Sequence, residues 1–322
     1  MSEPVTDWKP ACSLDALRAR AGMLAYIRAF FARRQVMEVQ TPTMGWHTVT
    51  DQHIDSVAVV DPTGGRRQAW LQTSPEYPMK RLLAAGSGPI YQIAPVFRRG
   101  ERGRRHNPEF TLLEWYRPGY RAADLMEEVA DLVEGLLGGP RPTVRRYREL
   151  LETELGVDPF LCPTADLEAL AVQATGVDAR ALDRDSALDL LMSTRIEPAL
   201  AGQGAVFVHG YPASQAALAR TEMIDGVEQA HRFELYVNGV ELCNGYWELS
   251  DPAEQRRRFE QDNAQRRRRG QPEMPVDQHL LQALEAGLPD CAGVALGLDR
   301  LLMLKLGASS LDAVLPFPID RA

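Results

Sequence analysis

Residues 233–241 have the sequence Phe-Glu-Leu-Tyr-Val-Asn-Gly-Val-Glu, in which an Asn-Gly pair separates two apolar runs. Asn238 and Gly239 tolerate the positive φ angles of a two-residue turn, so they predict an antiparallel hairpin. In this register Tyr236 lies directly opposite Glu241. The hairpin therefore indicates that antiparallel strands build the sheet of this protein.

The rest of the chain has strand patterns near both ends and helical patterns between them. Strands are expected at 36–39, 56–60, 69–72, 90–98, 109–116, 205–209, 232–237, 240–247 and 293–297. Helices are expected at 13–34, 76–85, within 122–200, at 252–269 and at 299–306, the first with Ser13 as its N-cap. Because strands and helices do not alternate regularly, the predicted fold class is α+β with a mostly antiparallel sheet.

The length and charge of the chain limit its function. The sequence has 322 residues, with 36 Lys and Arg against 44 Asp and Glu, which gives a formal net charge of −8. Such a length accommodates one large domain. We expect an N-terminal tail at 1–12 and one domain at 13–322, with a mostly helical insertion at about 122–204. The acidic balance disfavours nucleic acid as a partner, because phosphate contacts need cations.

The cysteine and histidine spacings exclude common metal motifs. Cys12, Cys162, Cys243 and Cys291 form no CxxC pair, and the six histidines form no HExxH motif. Isolated cysteines are typical of reduced thiols in a cytosolic protein. No apolar run approaches the roughly 18 residues of a membrane helix, and no secretory signal is visible. We therefore expect a cytoplasmic protein.

The hairpin carries a pair of carboxylates. Glu234 is a diagonal neighbour of Glu241 on the same face, a separation of about 7–8 Å at the backbone. Two converging carboxylates repel each other unless a cation neutralises them, and a hard divalent cation prefers oxygen ligands. The pair indicates a metal site, and an edge hairpin with two solvated glutamates is the alternative.

A second pattern combines aromatic and charged residues. Phe110, Glu114 and Tyr116 share one face of a strand by its period of two, and could hold an aromatic ring and an ammonium group. Arg98 ends the preceding strand, where it could bind a phosphate bidentately. The loop at 99–105 contains four more arginines, for which a solvated surface is the alternative.

A glycine-rich segment at 293–300 forms the third pattern. It contains Gly293 and Gly297 and ends in Asp299-Arg300 at the predicted start of a helix. Glycines permit close approach of the backbone, and helix N-termini favour anions, so a nucleotide is plausible here. The segment is neither a Rossmann nor a P-loop motif. A tightly packed core strand is the alternative.

Taken together and in this order, these segments resemble the three motifs of class II aminoacyl-tRNA synthetases. Arg34–Pro42 is similar to the first motif, residues 97–114 to the second and residues 297–300 to the third. The segments 105–110 and 241–245 are similar to the lysyl enzymes. The resemblance covers about residues 13–322, and it implies an antiparallel sheet flanked by helices, ATP as substrate, Mg²⁺ and a homodimer.

Lysyl-tRNA synthetases carry an N-terminal barrel that binds the anticodon. In this sequence about a dozen residues precede the expected catalytic region, which are too few to form such a barrel. The chain therefore resembles stand-alone lysyl paralogues without an anticodon-binding domain, which modify a lysine of elongation factor P. The resemblance implies (R)-β-lysine or lysine as substrate. Ser74 and Ala295 replace residues that are usually alanine and glycine in the synthetases, and could adapt the site to a β-amino acid. A truncated lysyl-tRNA synthetase and an inactive regulatory paralogue are the alternatives.

The resemblance also implies a role for individual residues. It assigns binding of the amino acid to Ser74, Pro75, Glu76, Tyr116, Asn244, Tyr246 and Glu248. It assigns binding of ATP to Arg98, Arg99, Gly100, Asn107, Phe110, Glu241, Leu242, Gly297 and Arg300. Arg98 and Arg300 would be catalytic, at the α- and γ-phosphates, and Glu234 and Glu241 would hold Mg²⁺.

Two features depart from the family pattern. The second motif usually begins Phe-Arg-Asn-Glu, whereas this chain has Arg99-Gly100 in place of Asn-Glu, with Glu101 directly after them. Glu241 and Glu248 are separated by an odd number of residues, so a regular strand would direct them to opposite faces. We therefore predict a β-bulge at residues 244–245.

Overall fold

The computed structural model describes residues 8–178 and 182–322; residues 1–7 of the predicted N-terminal tail lie outside this part. The strands are β1 (Met37–Glu38), β2 (Met44–Gly45), β3 (Ala58–Val59), β4 (Ala69–Leu71), β5 (Ile90–Phe97), β6 (Glu109–Pro118), β7 (Thr143–Arg146), β8 (Ala205–Pro212), β9 (Thr221–Ile224), β10 (Val227–Val237), β11 (Val240–Trp247) and β12 (Cys291–Gly297). The helices are α1 (Leu14–Arg33), α2 (Glu76–Ala84), α3 (Ala122–Leu137), α4 (Tyr147–Leu155), α5 (Thr164–Thr175), α6 (Arg184–Leu191), α7 (Glu197–Leu200), α8 (Pro252–Arg268), α9 (Gln278–Gly287) and α10 (Leu298–Lys305).

One large sheet organises the fold. Its strand order is β1-β5-β6-β12-β11-β10-β8-β7, and β9 pairs with β10. The outer pairs β1–β5 and β7–β8 are parallel, and the other neighbours are antiparallel. Strands β2, β4 and β3 form a separate small sheet. The predicted α+β class with a mostly antiparallel sheet is confirmed.

Strands β2, β7 and β9 and helix α9 differ from the expected elements. Strand β7 lies within the region predicted as helical; its sequence Thr-Val-Arg-Arg has one apolar residue, and its pairing with β8 makes it a strand. Strand β9 and helix α9 were not predicted. Strand β9 is short and exposed, so it shows no alternation of buried residues. Pairing across the sheet, which local sequence does not record, defines both strands.

The chain start is fixed by local contacts. The side chain of Ser13 accepts a hydrogen bond from the amide of Ala16, as predicted for the N-cap of α1. The amide of Ala11 donates to the carbonyl of Pro316 at 2.8 Å, and Cys12 is buried. Residues 11 and 12 of the predicted N-terminal tail are therefore attached to the fold.

The two faces of the sheet have different roles. Leu113 and Trp115 of β6 and Leu296 of β12 are fully buried in a core shared with α1, α3 and α10. Since side chains alternate along a strand, Phe110, Glu114 and Tyr116 of β6 point to the opposite face. That face forms the floor of a large cavity. Among the described residues, no helix is long and apolar enough to cross a membrane.

The β10–β11 hairpin has the predicted turn. Asn238 and Gly239 have φ angles of +50° and +72°, and Tyr236 lies opposite Glu241. A Cβ atom at position 239 would lie 2.3 Å from the carbonyl oxygen of Glu197 in α7. Glycine is therefore required at this position both by the backbone conformation and by the close approach of the helical insertion.

Candidate active site

A cavity of about 980 Å³ lies over the open face of the sheet. Its walls come from β6, β11 and β12, from the start of α2, from α8 and from the loop between β5 and β6. The cavity brings together most of the predicted site residues: Ser74, Glu76, Arg98, Asn107, Phe110, Tyr116, Glu241, Leu242, Asn244, Tyr246, Glu248, Gly297 and Arg300. Phe110, Glu114 and Tyr116 all line it, so the predicted shared face is confirmed.

A β-bulge brings Glu241 and Glu248 to the same cavity. Leu235 pairs with Cys243 and Tyr236 with Glu241, which leaves Leu242 as the additional residue of β11. The predicted bulge at 244–245 is wrong, because residues 243–247 pair without interruption with β12. The bulge at Leu242 still changes the alternation between the two glutamates, so both line the cavity.

Glu114 lies at one end of the cavity and is almost completely buried. It accepts hydrogen bonds from the hydroxyls of Ser74 at 2.6 Å and Tyr116 at 2.7 Å. Burial and the negative charge of Glu76 raise the pKa of Glu114 to about 8. This end of the cavity therefore attracts a cation, which would stabilise the ionised carboxylate.

Sequence reasoning missed a buried lysine beside these groups. The Nζ atom of Lys80 lies 2.6 Å from Oε1 of Glu76 and 2.6 Å from Oε2 of Glu248. Lys80 is only 1% exposed. The sequence signals were its i, i+4 spacing from Glu76 and its rarity, because the chain has lysine only at 9, 80 and 305.

The charges at this end do not balance. Three carboxylates, those of Glu76, Glu114 and Glu248, lie at this end, and the ammonium group of Lys80 contacts two of them, Glu76 and Glu248. Burial raises the pKa of Glu248 to about 7, although the charge of Lys80 opposes the increase. With all groups ionised, the net charge is −2, which matches a ligand that carries two ammonium groups.

The opposite end of the cavity is cationic. The guanidinium group of Arg98 lies 5.1 Å from the centre of the Phe110 ring. Arg300 donates to the carbonyl oxygen of Glu241 at 2.9 Å, and its Nη1 lies 3.3 Å from a carboxylate oxygen of the same residue. Two arginines and an aromatic ring suit a nucleoside triphosphate.

His106 positions Arg300, although sequence reasoning gave it no role. The Nη2 atom of Arg300 lies 2.7 Å from Nε2 of His106. Burial and the positive charge of Arg300 lower the pKa of His106, so the ring is neutral at pH 7 and Nε2 accepts the hydrogen bond. The only signal in the sequence was its place in the segment 105–110.

Asp299 fixes the junction that precedes Arg300. Its carboxylate accepts a hydrogen bond from the amide of Thr111 at 2.7 Å and forms an ion pair with Arg20 of α1. Arg20 also donates to the hydroxyl of Thr111 at 2.7 Å. These contacts connect α1, β6 and α10, and they set where the first turn of α10 presents Arg300.

Comparison with known proteins identifies the architecture. A family model described as tRNA synthetases class II (D, K and N) matches residues 3–321. The chain belongs to this family. It is 47% identical over 327 residues to a protein of Salmonella gallinarum named elongation factor P–(R)-β-lysine ligase, with 100% of both chains covered. A protein of the same name from Pasteurella multocida is 46% identical over 319 residues, with 98% of both chains covered.

Four residues that were predicted to bind the amino acid, ATP or Mg²⁺ do not line the cavity: Pro75, Arg99, Gly100 and Glu234. Pro75 is the N-cap of α2. Arg99 and Gly100 are exposed in a turn where Gly100 has a φ angle of +82°. The roles of Pro75 in binding the amino acid and of Arg99 and Gly100 in binding ATP stay predictions. Glu101 does line the cavity and lies 3.6 Å from Arg98, so it supplies a carboxylate beside the position where the family has one.

Two neighbours of the turn have structural contacts. Asn107 donates to the carbonyl of Glu109 at 2.6 Å and accepts from the amide of Ile319 at 3.1 Å. Arg102 forms an ion pair with Asp320 of the same C-terminal segment. The loop between β5 and β6 is therefore fixed to the C-terminal segment of the synthetase.

The hairpin carboxylates differ in their fit to Mg²⁺. Glu241 lines the cavity, where burial and the charge of Glu234 raise its pKa, so its oxygens suit a hard cation. The carboxylate of Glu234 already binds Arg232 and the hydroxyls of Tyr211 and Tyr236. Among the described residues, no three His, Cys, Asp or Glu side chains form a metal site. Glu241 fits Mg²⁺ together with phosphates, and Glu234 as a direct ligand stays a prediction.

Proposed function

We propose that this class II synthetase joins (R)-β-lysine, or lysine, to a lysine ε-amine of elongation factor P by way of an aminoacyl-adenylate. The observation that carries the proposal is the cavity itself, with three carboxylates at one end and Arg98 and Arg300 at the other. A lysine-type substrate has two ammonium groups and one carboxylate. The acidic end complements the ammonium groups, and the cationic end complements ATP.

In the first step the substrate carboxylate attacks the α-phosphorus of ATP. The carboxylate is ionised at neutral pH, so this step needs no general base. An oxygen–phosphorus bond forms, the bond to the β-phosphate breaks, and pyrophosphate leaves with the electron pair. Arg98 neutralises the α-phosphate, and Arg300, fixed by His106 and Glu241, neutralises the γ-phosphate. Bound Mg²⁺ at Glu241 would add further neutralisation of phosphate charge.

In the second step the ε-amine of the acceptor lysine attacks the acyl carbon of the adenylate. An amide bond forms, AMP leaves with the electron pair of the broken acyl–phosphate bond, and the amine loses its proton. Elongation factor P is proposed as acceptor because it appears in the names of the relatives that match the whole chain. A cytoplasmic location is proposed with it, since this factor acts in translation. A homodimer is proposed from the resemblance of the first motif.

A truncated lysyl-tRNA synthetase is the competing function. The net charge of −8 disfavours it. Several arginines on α8 are also paired with carboxylates, because Arg257 and Arg258 share Glu254, and Arg267 pairs with Glu273. Arg266 is completely buried and donates to the carbonyls of Asp51 and Pro272. These contacts reduce the cationic surface that this helix offers to an acceptor stem.

Amino-acid-dependent exchange between ATP and pyrophosphate tests the activation step. We expect exchange with (R)-β-lysine or lysine, and none with norleucine, which lacks the side-chain ammonium group. Exchange that is equal with norleucine would contradict the charge match. Absence of exchange with every amino acid would instead favour an inactive regulatory paralogue. Salt-sensitive binding of tRNA, followed by charging, would favour the truncated synthetase.

A further inference from the structure

Lys80 is not part of the cavity wall but lies behind it. Its side chain comes from α2, one helical turn after Glu76, and Glu248 follows the end of β11. The two carboxylates line the cavity, whereas Lys80 does not. Any action of Lys80 on a substrate must therefore pass through Glu76 and Glu248.

We propose that Lys80 is a positioning residue, which holds Glu76 and Glu248 in the arrangement that binds the two ammonium groups of a diamino acid. This inference rests on the proposed function, whose substrate it makes more specific. A single ammonium group 2.6 Å from both carboxylates joins α2 to the end of β11. The distance between the two substrate-binding carboxylates therefore depends on Lys80.

The identity of the cation follows from its geometry. One nitrogen atom contacts two carboxylates from different elements, which a compact ammonium group allows. A planar guanidinium group would spread its donors over several ångströms and needs more volume. Lys80 is 1% exposed and is surrounded by packed residues, so the site has little space for that group. A chain that otherwise uses arginine for most of its cations has lysine here.

The charge of Lys80 also controls when Glu248 is ionised. Burial raises the pKa of Glu248 to about 7, the charge of Lys80 lowers it, and the charge of Glu76 raises it. Removal of the Lys80 charge therefore moves the pKa of Glu248 upward. The other titratable and charged groups that face this carboxylate from the surrounding elements are Glu114 and Tyr116 of β6, Tyr246 of β11, Cys291 of β12 and Arg220.

The test compares Lys80→Met and Lys80→Arg with the unchanged protein in ATP–pyrophosphate exchange from pH 6 to 9. For Lys80→Met, we expect KM for (R)-β-lysine or lysine to increase by about 10- to 100-fold, the range for loss of a charged hydrogen bond. In the pH profile of kcat/KM for the amino acid, the acidic limb, where kcat/KM falls as the pH is lowered, should move to higher pH. KM for ATP should stay within about twofold of the value for the unchanged protein. Lys80→Arg should keep the acidic limb but increase the amino-acid KM.

Lys305→Met is the matched control. Its ammonium group contacts the carbonyl of Leu136, away from the cavity, so neither the amino-acid KM nor the acidic limb should move. Thermal denaturation of each variant separates loss of folding from loss of binding. If Lys80→Met does not fold, the amino-acid KM of Lys80→Arg tests the inference. An increased KM supports the positioning role, and an unchanged KM in folded Lys80→Arg overturns it, because a purely structural lysine can be replaced without effect on substrate binding.

The outcomes separate this inference from the proposed function. Failure of the unchanged protein to exchange with any diamino acid overturns both. If the unchanged protein exchanges normally, either of two results overturns the Lys80 inference alone. One is a folded Lys80→Met variant with unchanged amino-acid KM and acidic limb. The other is an equal increase of KM for ATP and for the amino acid, which would indicate a general structural role.

Discussion

Gly293 of β12 is paired with Tyr116 of β6 and lies close to the edge of its ring. A Cβ atom at position 293 would lie 2.2 Å from Cε1 of Tyr116 and 2.6 Å from Oε1 of Glu248. The backbone of Gly293 is paired in the sheet with Tyr116 and with Tyr246, so it cannot move away without loss of those pairs. The absent side chain of Gly293 therefore leaves room for the phenol ring and the carboxylate on this side of the sheet.

Gly293→Ala should disrupt the amino-acid end of the cavity. The added methyl group must displace Tyr116 or Glu248, so we expect KM for the diamino acid to increase at least about tenfold, the loss of one good contact. KM for ATP should change little, because Arg98 and Arg300 are untouched. Exchange kinetics with each substrate varied in turn provide the measurement.

Gly22→Ala is the control for this glycine substitution. Gly22 lies within α1, and apart from its chain neighbours and the backbone of its own helix, no atom lies within 4 Å of a Cβ atom at this position. Alanine is favoured over glycine in a helix by about 1 kcal/mol. We expect unchanged kinetics and an equal or higher melting temperature, and equal kinetic defects in both variants would refute the steric explanation.

The contact between His106 and Arg300 gives a second prediction. Arg300→Ala should abolish exchange, because the γ-phosphate loses its cation. His106→Ala keeps Arg300 but removes its acceptor at 2.7 Å, so we expect KM for ATP to increase about tenfold with little change in KM for the amino acid. Steady-state exchange rates at varied ATP test both variants. Wild-type ATP kinetics in His106→Ala would show that the contact does not position Arg300.

The raised pKa values of the buried carboxylates predict a pH dependence. Glu248 and Glu114 have pKa values of about 7 and about 8, and each must be ionised to pair with an ammonium group. Below these values the groups are protonated, and binding of the diamino acid must displace the protons. Amino-acid kcat/KM should therefore increase as pH is raised from 6 to 8. A flat profile over this interval would contradict the charge match at the acidic end.

Ser74 and Ala295 offer a test of substrate preference. Ser74 donates to Glu114 at 2.6 Å, and Ala295 is paired with Glu114 in the sheet and lines the cavity. Replacement of both by the residues usual in lysyl-tRNA synthetases, in a Ser74→Ala and Ala295→Gly variant, should shift the ratio of kcat/KM from (R)-β-lysine towards lysine. An unchanged ratio would mean that other residues distinguish the isomers.

Local sequence was sufficient to predict the structure where a pattern is compatible with only one backbone arrangement. The Asn-Gly turn allows one register, so the positions of Tyr236 and Glu241 were predicted correctly. The alternation in β6 likewise gave the shared face of Phe110, Glu114 and Tyr116. The gathering of residues from the second and third motifs in one cavity followed from the family resemblance, not from any local pattern.

Contacts between distant segments could not be predicted. Lys80 obtains its role from Glu248, which lies 168 residues away in the chain, and the helical pattern of α2 gives no sign of that partner. The bulge at Leu242 depends on the pairing of β11 with two neighbours, so the sequence indicated a change of alternation but not its position. Binding of Glu234 by Arg232 and Tyr211 also forms only in the folded sheet.

Intact-mass spectrometry of elongation factor P tests the central claim most directly. Purified factor is incubated with this protein, ATP, Mg²⁺ and (R)-β-lysine or lysine, beside a parallel reaction that contains lysine tRNA. We predict that the factor gains the mass of one lysyl group on one lysine, that Arg300→Ala prevents the gain, and that tRNA stays uncharged. An unmodified factor together with efficient charging of tRNA would contradict the proposal.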